Sequence, residues 1–113
     1  MKTVIVPVDF SETSLNAAKY ATKFLTGHYG VNMILHHVYD KADEAAEITA
    51  KLEQLKNHLR ETGIVKTEIL AEQGDDFIDE LEKLARHRQA ELVIMGITGR
   101  SPISQSLIGS NTL

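Results

Sequence analysis

The sequence predicts an α/β fold, a doubly wound, Rossmann-like parallel sheet with helices on both faces. Two observations carry this reading. First, the run at residues 3–8 is continuous rather than alternating, the mark of a strand buried on both faces, residues 92–95 form a short apolar run, and residues 31–38 (VNMILHHV) are a second buried-strand candidate. Second, the segments between the strands repeat apolar residues at helical spacing, giving the order β-α-β-α-β-α-β. That order implies right-handed crossovers and parallel neighbours.

The first strand, Thr3-Val4-Ile5-Val6-Pro7-Val8, should end near Pro7, because proline cannot donate to a central ladder. Asp9-Phe10-Ser11-Glu12-Thr13-Ser14 is rich in N-cap residues, so a helix starts within it. Its apolar stripe is Leu15, Ala18, Ala21 and Leu25, widened by Ala17 and Phe24, and Gly27 and Gly30 punctuate its exit. After the second strand, residues 43–62 read as a long amphipathic helix with the seam Ile48, Leu52, Leu55 and Leu59, stopped by Gly63. Residues 64–70 alternate, with Val65, Thr67 and Ile69 opposite Lys66 and Glu68, which suits an edge strand. Gln73-Gly74-Asp75-Asp76 is a turn and cap, and Phe77, Ile78, Leu81, Leu84 and Ala85 mark a third helix to about Arg88. Residues 91–95 form the fourth strand.

A chain of 113 residues suits one domain spanning 1–113. A net charge of −4 with no basic stripe argues against nucleic acid as partner. The absence of cysteine excludes disulfides and thiolate chemistry. No apolar run reaches membrane length, and Met1-Lys2-Thr3 leads straight into a strand rather than a signal peptide, so a cytoplasmic location is expected.

The function-bearing stretch follows the fourth strand. Leu92-Val93-Ile94-Met95 breaks into Gly96-x-x-Gly99 and runs on to Gly109-Ser110. Glycine lets main-chain N–H groups approach an anion with no Cβ in the way, and a helix starting near Ser110 would aim its free N–H groups into the same space. These positions read as a phosphate cradle in two halves. The simplest sheet order is 3-2-1-4, in which the winding reverses between strands one and four. Ligands of such sheets bind at the carboxyl ends of the strands, at that reversal. Pro7, Val8 and Asp9 from strand one would therefore face Met95 and Gly96 from strand four.

With these residues in place, the chain resembles the universal stress protein family. The resemblance runs from residue 1 to the end, and its specific parts are the opening VIVPVDFSETS and the spacing Gly-x2-Gly-x9-Gly-Ser at Gly96, Gly99, Gly109 and Ser110. That spacing is the nucleotide signature of the ATP-binding branch. The resemblance implies an adenine nucleotide, ATP or AMP, with Mg as a candidate companion, as ligand of a stress-response module that is a homodimer or other homo-oligomer. It implies that Asp9 bonds the ribose or the adenine side, and that Pro7, Val8, Val38 and Met95 line the adenine pocket. Gly96, Gly99, Gly109, Ser110 and Asn111 would hold ribose and phosphates. The family's last helix and fifth strand have no counterpart here, which predicts an open edge at strand four. Energetics favour a site that needs both halves. A helix N-terminus gives a phosphate about 0.3–1 kcal/mol, micromolar binding needs roughly 8 kcal/mol, and burial of the base must supply much of the rest.

Other residues read more plainly. His36 and His37 are adjacent in a strand and point to opposite faces, which argues against a metal pair; one should pack under a helix and the other face the opposite layer. Asp75, Asp76 and Asp79 read as a helix cap with first-turn acids, and no metal site is expected. The P-loop pattern GxxxxGK[ST] is absent and no Ser/His/Asp set follows from spacing, so no catalytic residue is assigned. A binding or sensing module is favoured; the alternatives are a nucleotide-free interaction or dimerisation module of the same fold, or a slow ATPase.

Overall fold

The computed structural model describes residues 2–96 and the backbone of residues 105–108. Its elements in chain order are β1 (Lys2–Pro7), α1 (Glu12–Leu25), β2 (Val31–Tyr39), α2 (Ala45–Leu59), β3 (Lys66–Gln73), α3 (Phe77–His87), β4 (Leu92–Gly96) and β5 (Gln105–Ile108). The first four strands are parallel and lie in the expected order β3-β2-β1-β4. No helix among the described residues is long and apolar enough to cross a membrane.

One expectation is corrected. β4 is not an open edge, because β5 pairs with it antiparallel, with Val93 opposite Ile108 and Gly96 opposite Gln105. A buried strand with a free row of N–H and C=O groups is a template for pairing, and here the returning chain occupies it. Boundaries also move. α2 stops at Leu59 rather than near residue 62, because Glu61 and Thr62 donate to His58 and Leu59 in a tighter turn. β3 runs to Gln73, held by eight residues of parallel register against β2 from Asn32↔Lys66 to Tyr39↔Gln73.

The two faces of the sheet are built differently. α1 and α2 cover one face, where Val4, Val6, Met33 and Leu35 pack against Ala18, Ala21, Leu25, Ile48, Leu52 and Leu59. Complete burial of one such Leu contributes about 1.5–3 kcal/mol. α3 covers the other face with a smaller core, Leu81 and Leu84 over Ile5 and Ile34. Polar side chains flank that core. Asn32 Nδ2 donates to Glu68 Oε1 at 3.0 Å, and Arg88 donates to both Glu68 oxygens at 2.9 and 2.8 Å. The Arg88 hydrogen bonds are the main cause that pulls the Glu68 carboxyl down to about 2. His36, fully buried, meets Glu72 Oε1 through Nε2 at 2.8 Å, while its Nδ1 is buried without a partner. Burial lowers the His36 pKa and outweighs the opposing pull of Glu72.

Candidate functional site

The turn after β1 sets the site. Ser11 caps α1, its hydroxyl accepting from the Ser14 N–H at 3.2 Å. Asp9 Oδ1 accepts from the Ser11 N–H at 2.9 Å, and the Asp9 N–H donates to Ser14 Oγ at 3.2 Å. Between them Phe10 adopts φ 65, the left-handed region, at a cost of about 1–2 kcal/mol for a residue with a side chain. Its ring is held by contact with the His37 ring at 5.1 Å and by Lys51 Nζ at 5.4 Å. The turn therefore presents Asp9 in a fixed orientation at the end of β1. Hydrogen bonding from Ser11, chiefly its hydroxyl, holds the Asp9 carboxyl below the usual range against the opposing effect of burial, so Asp9 is ionised at neutral pH.

A cavity of about 240 Å³ opens at the carboxyl ends of β1, β2 and β4. Pro7, Val8, Asp9, Val38, Met95 and Gly96 all line it. Gly99, Gly109, Ser110 and Asn111 lie outside the described residues. Three further lining residues were not read from the sequence: Ser14, His37 and Phe77. Ser14 follows from the cap geometry, since the N3 residue of α1 folds back over Asp9. Phe77 opens α3 just after its Asp76 cap, where the side-chain carboxylate accepts from the Asp79 N–H at 3.0 Å. His37 donates from Nδ1 to the Val8 carbonyl oxygen at 2.6 Å, since a carbonyl can only accept.

Gly96 has a packing reason as well as a place in the wall. A Cβ there would sit 2.5 Å from the Thr13 carbonyl oxygen and 2.7 Å from Thr13 Cγ2. The first turn of α1 thus lies directly on the end of β4, and only glycine permits that approach. Among the described residues no group of three acids or histidines is arranged to hold a metal. A larger cavity, about 360 Å³, lies at the opposite end of the sheet between Thr22, Lys56, Arg60, Gly63 and Thr67. It receives none of the residues at the winding reversal.

A doubly wound sheet with an ionised aspartate and an apolar-walled cavity at its switch point places the chain in the Rossmann-like class of α/β proteins. The chain belongs to the universal stress protein family, whose model matches residues 1–113. Among solved structures, the chain is similar to the protein Rv1636 of Mycobacterium tuberculosis H37Rv, at 27% identity and TM-score 0.72, over 90% of this chain and 75% of that one. It is similar to a universal stress protein solved in complex with cAMP, at 26% identity and TM-score 0.70, over 81% of this chain and 69% of that one. It is also similar to the hypothetical protein MJ0577, at 27% identity and TM-score 0.64, over 91% of this chain and 81% of that one. No curated protein matches the sequence.

Proposed function

We propose that the cavity at the end of β1 and β4 binds an adenine nucleotide, ATP or AMP, and that residues 1–113 act as one binding or sensing domain of the stress response. The observation that carries the reading is the convergence of Pro7, Val8, Asp9, Val38, Met95 and Gly96 on one cavity at the switch point. Val8, Val38 and Met95 supply flat apolar contact for a base, and Asp9 supplies a charged acceptor for sugar hydroxyls. The cavity is smaller than the roughly 300–1,000 Å³ of whole drug-sized sites, which suits base and sugar inside and phosphates beyond Gly96. Gly99, Gly109, Ser110 and Asn111 are the residues assigned to those phosphates, with Mg as a possible companion of ATP. Support comes from the similar universal stress protein solved with cAMP, itself an adenine nucleotide. The protein is read as a cytoplasmic homodimer that binds without rapid turnover of the nucleotide.

The test is to denature the purified protein, chromatograph what is released, and titrate ATP and AMP into the refolded wild type and Asp9→Asn. The reading predicts micromolar binding by wild type and a loss of about tenfold or more in the variant, the value of hydrogen bonds to a charged acceptor. No released nucleotide and no binding of ATP or AMP by wild type would overturn it in favour of an interaction module that keeps only the fold.

A further inference from the structure

We propose that the larger cavity, at the end of the sheet away from the winding reversal, binds a short dicarboxylate, with one carboxylate on Lys56 and the other on Arg60.

This cavity, about 360 Å³, lies between Thr22 of α1, Lys56 and Arg60 at the end of α2, and Thr67 near the start of β3. Its volume falls within the roughly 300–1,000 Å³ of small-molecule sites. Gly63 fixes its floor. A Cβ there would collide with Thr26 Oγ1 and lie 3.2 Å from the Thr22 carbonyl oxygen, so the loop after α2 sits directly on the end of α1.

The lining carries one sign of charge. The chain has 16 Asp and Glu against 12 Lys and Arg, yet three cations and no acid line this cavity. One of the three, Lys66, brings backbone only. Strand alternation puts its side chain on the Glu68 face of β3, where its charge helps to hold the Glu68 carboxyl down. Lys56 and Arg60 remain as the cations of the cavity. Among the described residues neither forms an ion pair, although Lys51, Lys83 and Arg88 all do. A place in the last turn of α2 accounts for positive charge, since cations offset the negative end of a helix. It does not account for an acid-free cavity beside them.

The spacing and the setting choose the ligand. Residues four apart on a helix share a face, with about 5–6 Å between their Cβ atoms. Two anionic groups on a short spacer span that distance. Phosphate sites use the N–H groups of helix N-termini, whereas this cavity lies where α1 and α2 end, and helix-end carbonyls oppose a concentrated negative charge. Two singly charged carboxylates, each beside its own cation, suit it better than one doubly charged phosphate. The Arg60 guanidinium can hold a carboxylate through two parallel N–H donors. Thr67 Oγ1 donates to the Val65 carbonyl oxygen two residues back at 2.9 Å, a local bond whose proton can turn to the ligand instead.

The test titrates succinate, acetate and pyrophosphate into the protein at constant ionic strength, which holds general screening fixed. Backbone amide shifts of Thr22, Gly63 and Thr67 report binding. Succinate should move all three along one saturable curve, with a Kd of about 1 mM or below. Acetate, which meets one cation at a time, should bind about tenfold or more weakly, and pyrophosphate should also bind more weakly than succinate. Lys56→Gln and Arg60→Gln should each weaken succinate about tenfold. Arg60→Lys, which keeps the charge and loses the paired donors, should weaken it less than Arg60→Gln. Neither side chain is buried or ion-paired, so the thermal midpoint of each variant should match wild type. No saturable shift with succinate, equal affinity for acetate, tighter binding of pyrophosphate, or undiminished binding by Arg60→Gln would overturn the proposal. All of these outcomes leave the nucleotide reading of the other cavity untouched.

Discussion

The two faces of the sheet solve the same burial problem with different chemistry. The α1/α2 face is a continuous apolar core in which Val6, Met33, Leu35 and Leu52 are wholly buried. The α3 face, covered by one helix among the described residues, surrounds a small core with the Asn32–Glu68–Arg88 and His36–Glu72 pairs. The first depends on packed volume and is indifferent to pH. The second depends on protonation states. Adjacent residues of β2 display the contrast directly: His36 is sealed under α3, and His37 stands on the other side against Phe10, at the edge of the cavity beyond β1 and β4. One strand thus separates a fully buried histidine from a cavity-lining one by a single residue, because side chains alternate across a sheet.

Three perturbations should separate the faces. The largest effect belongs to the apolar face. Leu52→Ala should cost about 2–5 kcal/mol in denaturant unfolding, because the cavity it leaves between α2 and the sheet cannot collapse fully; a cost no larger than that of an exposed substitution would contradict this account of the core.

Acidification should act on the α3 face. His36 has its pKa lowered by folding, so the unfolded chain binds the extra proton. The stability that its neutral form contributes is fully present above the ordinary value of 6.5 and is lost as pH falls below it toward the depressed value. Glu68 adds a second window: its contribution is present above 4.5 and is lost as pH falls toward about 2. Amide exchange in α3 should therefore accelerate relative to α2 between pH 7 and pH 5, and His36→Gln should flatten that difference. Equal loss of protection in both helices would remove the contrast between the faces.

The smallest effect is a gain. Gln89 follows the end of α3 at φ 52, the left-handed position that glycine fills best. Gln89→Gly should raise stability by roughly 0.5–1 kcal/mol, measured as a shift of the denaturation midpoint at unchanged slope.

The parts of this fold that were legible in the sequence are those fixed by local pattern. Continuous apolar runs marked the buried strands, the Ser11 and Asp76 caps marked helix starts, and the alternation of β3 marked its edge position. What escaped depends on partners distant in the chain. β3 continues past Leu70 to Gln73 only because β2 offers it backbone groups as far as Tyr39. β5 carries four residues with no strand pattern of their own, and it exists through pairing with β4. At the site, Asp9 and its neighbours were readable because topology alone carries them to the switch point. His37 was not, because its place depends on the Val8 carbonyl twenty-nine positions away, to which its Nδ1 donates. Gly96 has a second reason that spacing does not show, the Thr13 carbonyl oxygen that a Cβ there would meet.

The central claim is that the chain's ligand is an adenine nucleotide held at the carboxyl ends of β1, β2 and β4. Titrating AMP into the isotopically labelled protein and following backbone amide shifts tests this most directly. The account predicts that Val8, Asp9, His37, Val38 and Gly96 move together along one binding curve, while Thr22, Gly63 and Thr67 around the larger cavity stay still. Shifts centred on Thr22, Gly63 and Thr67, or none at Val8 and Asp9 at saturating AMP, would contradict it.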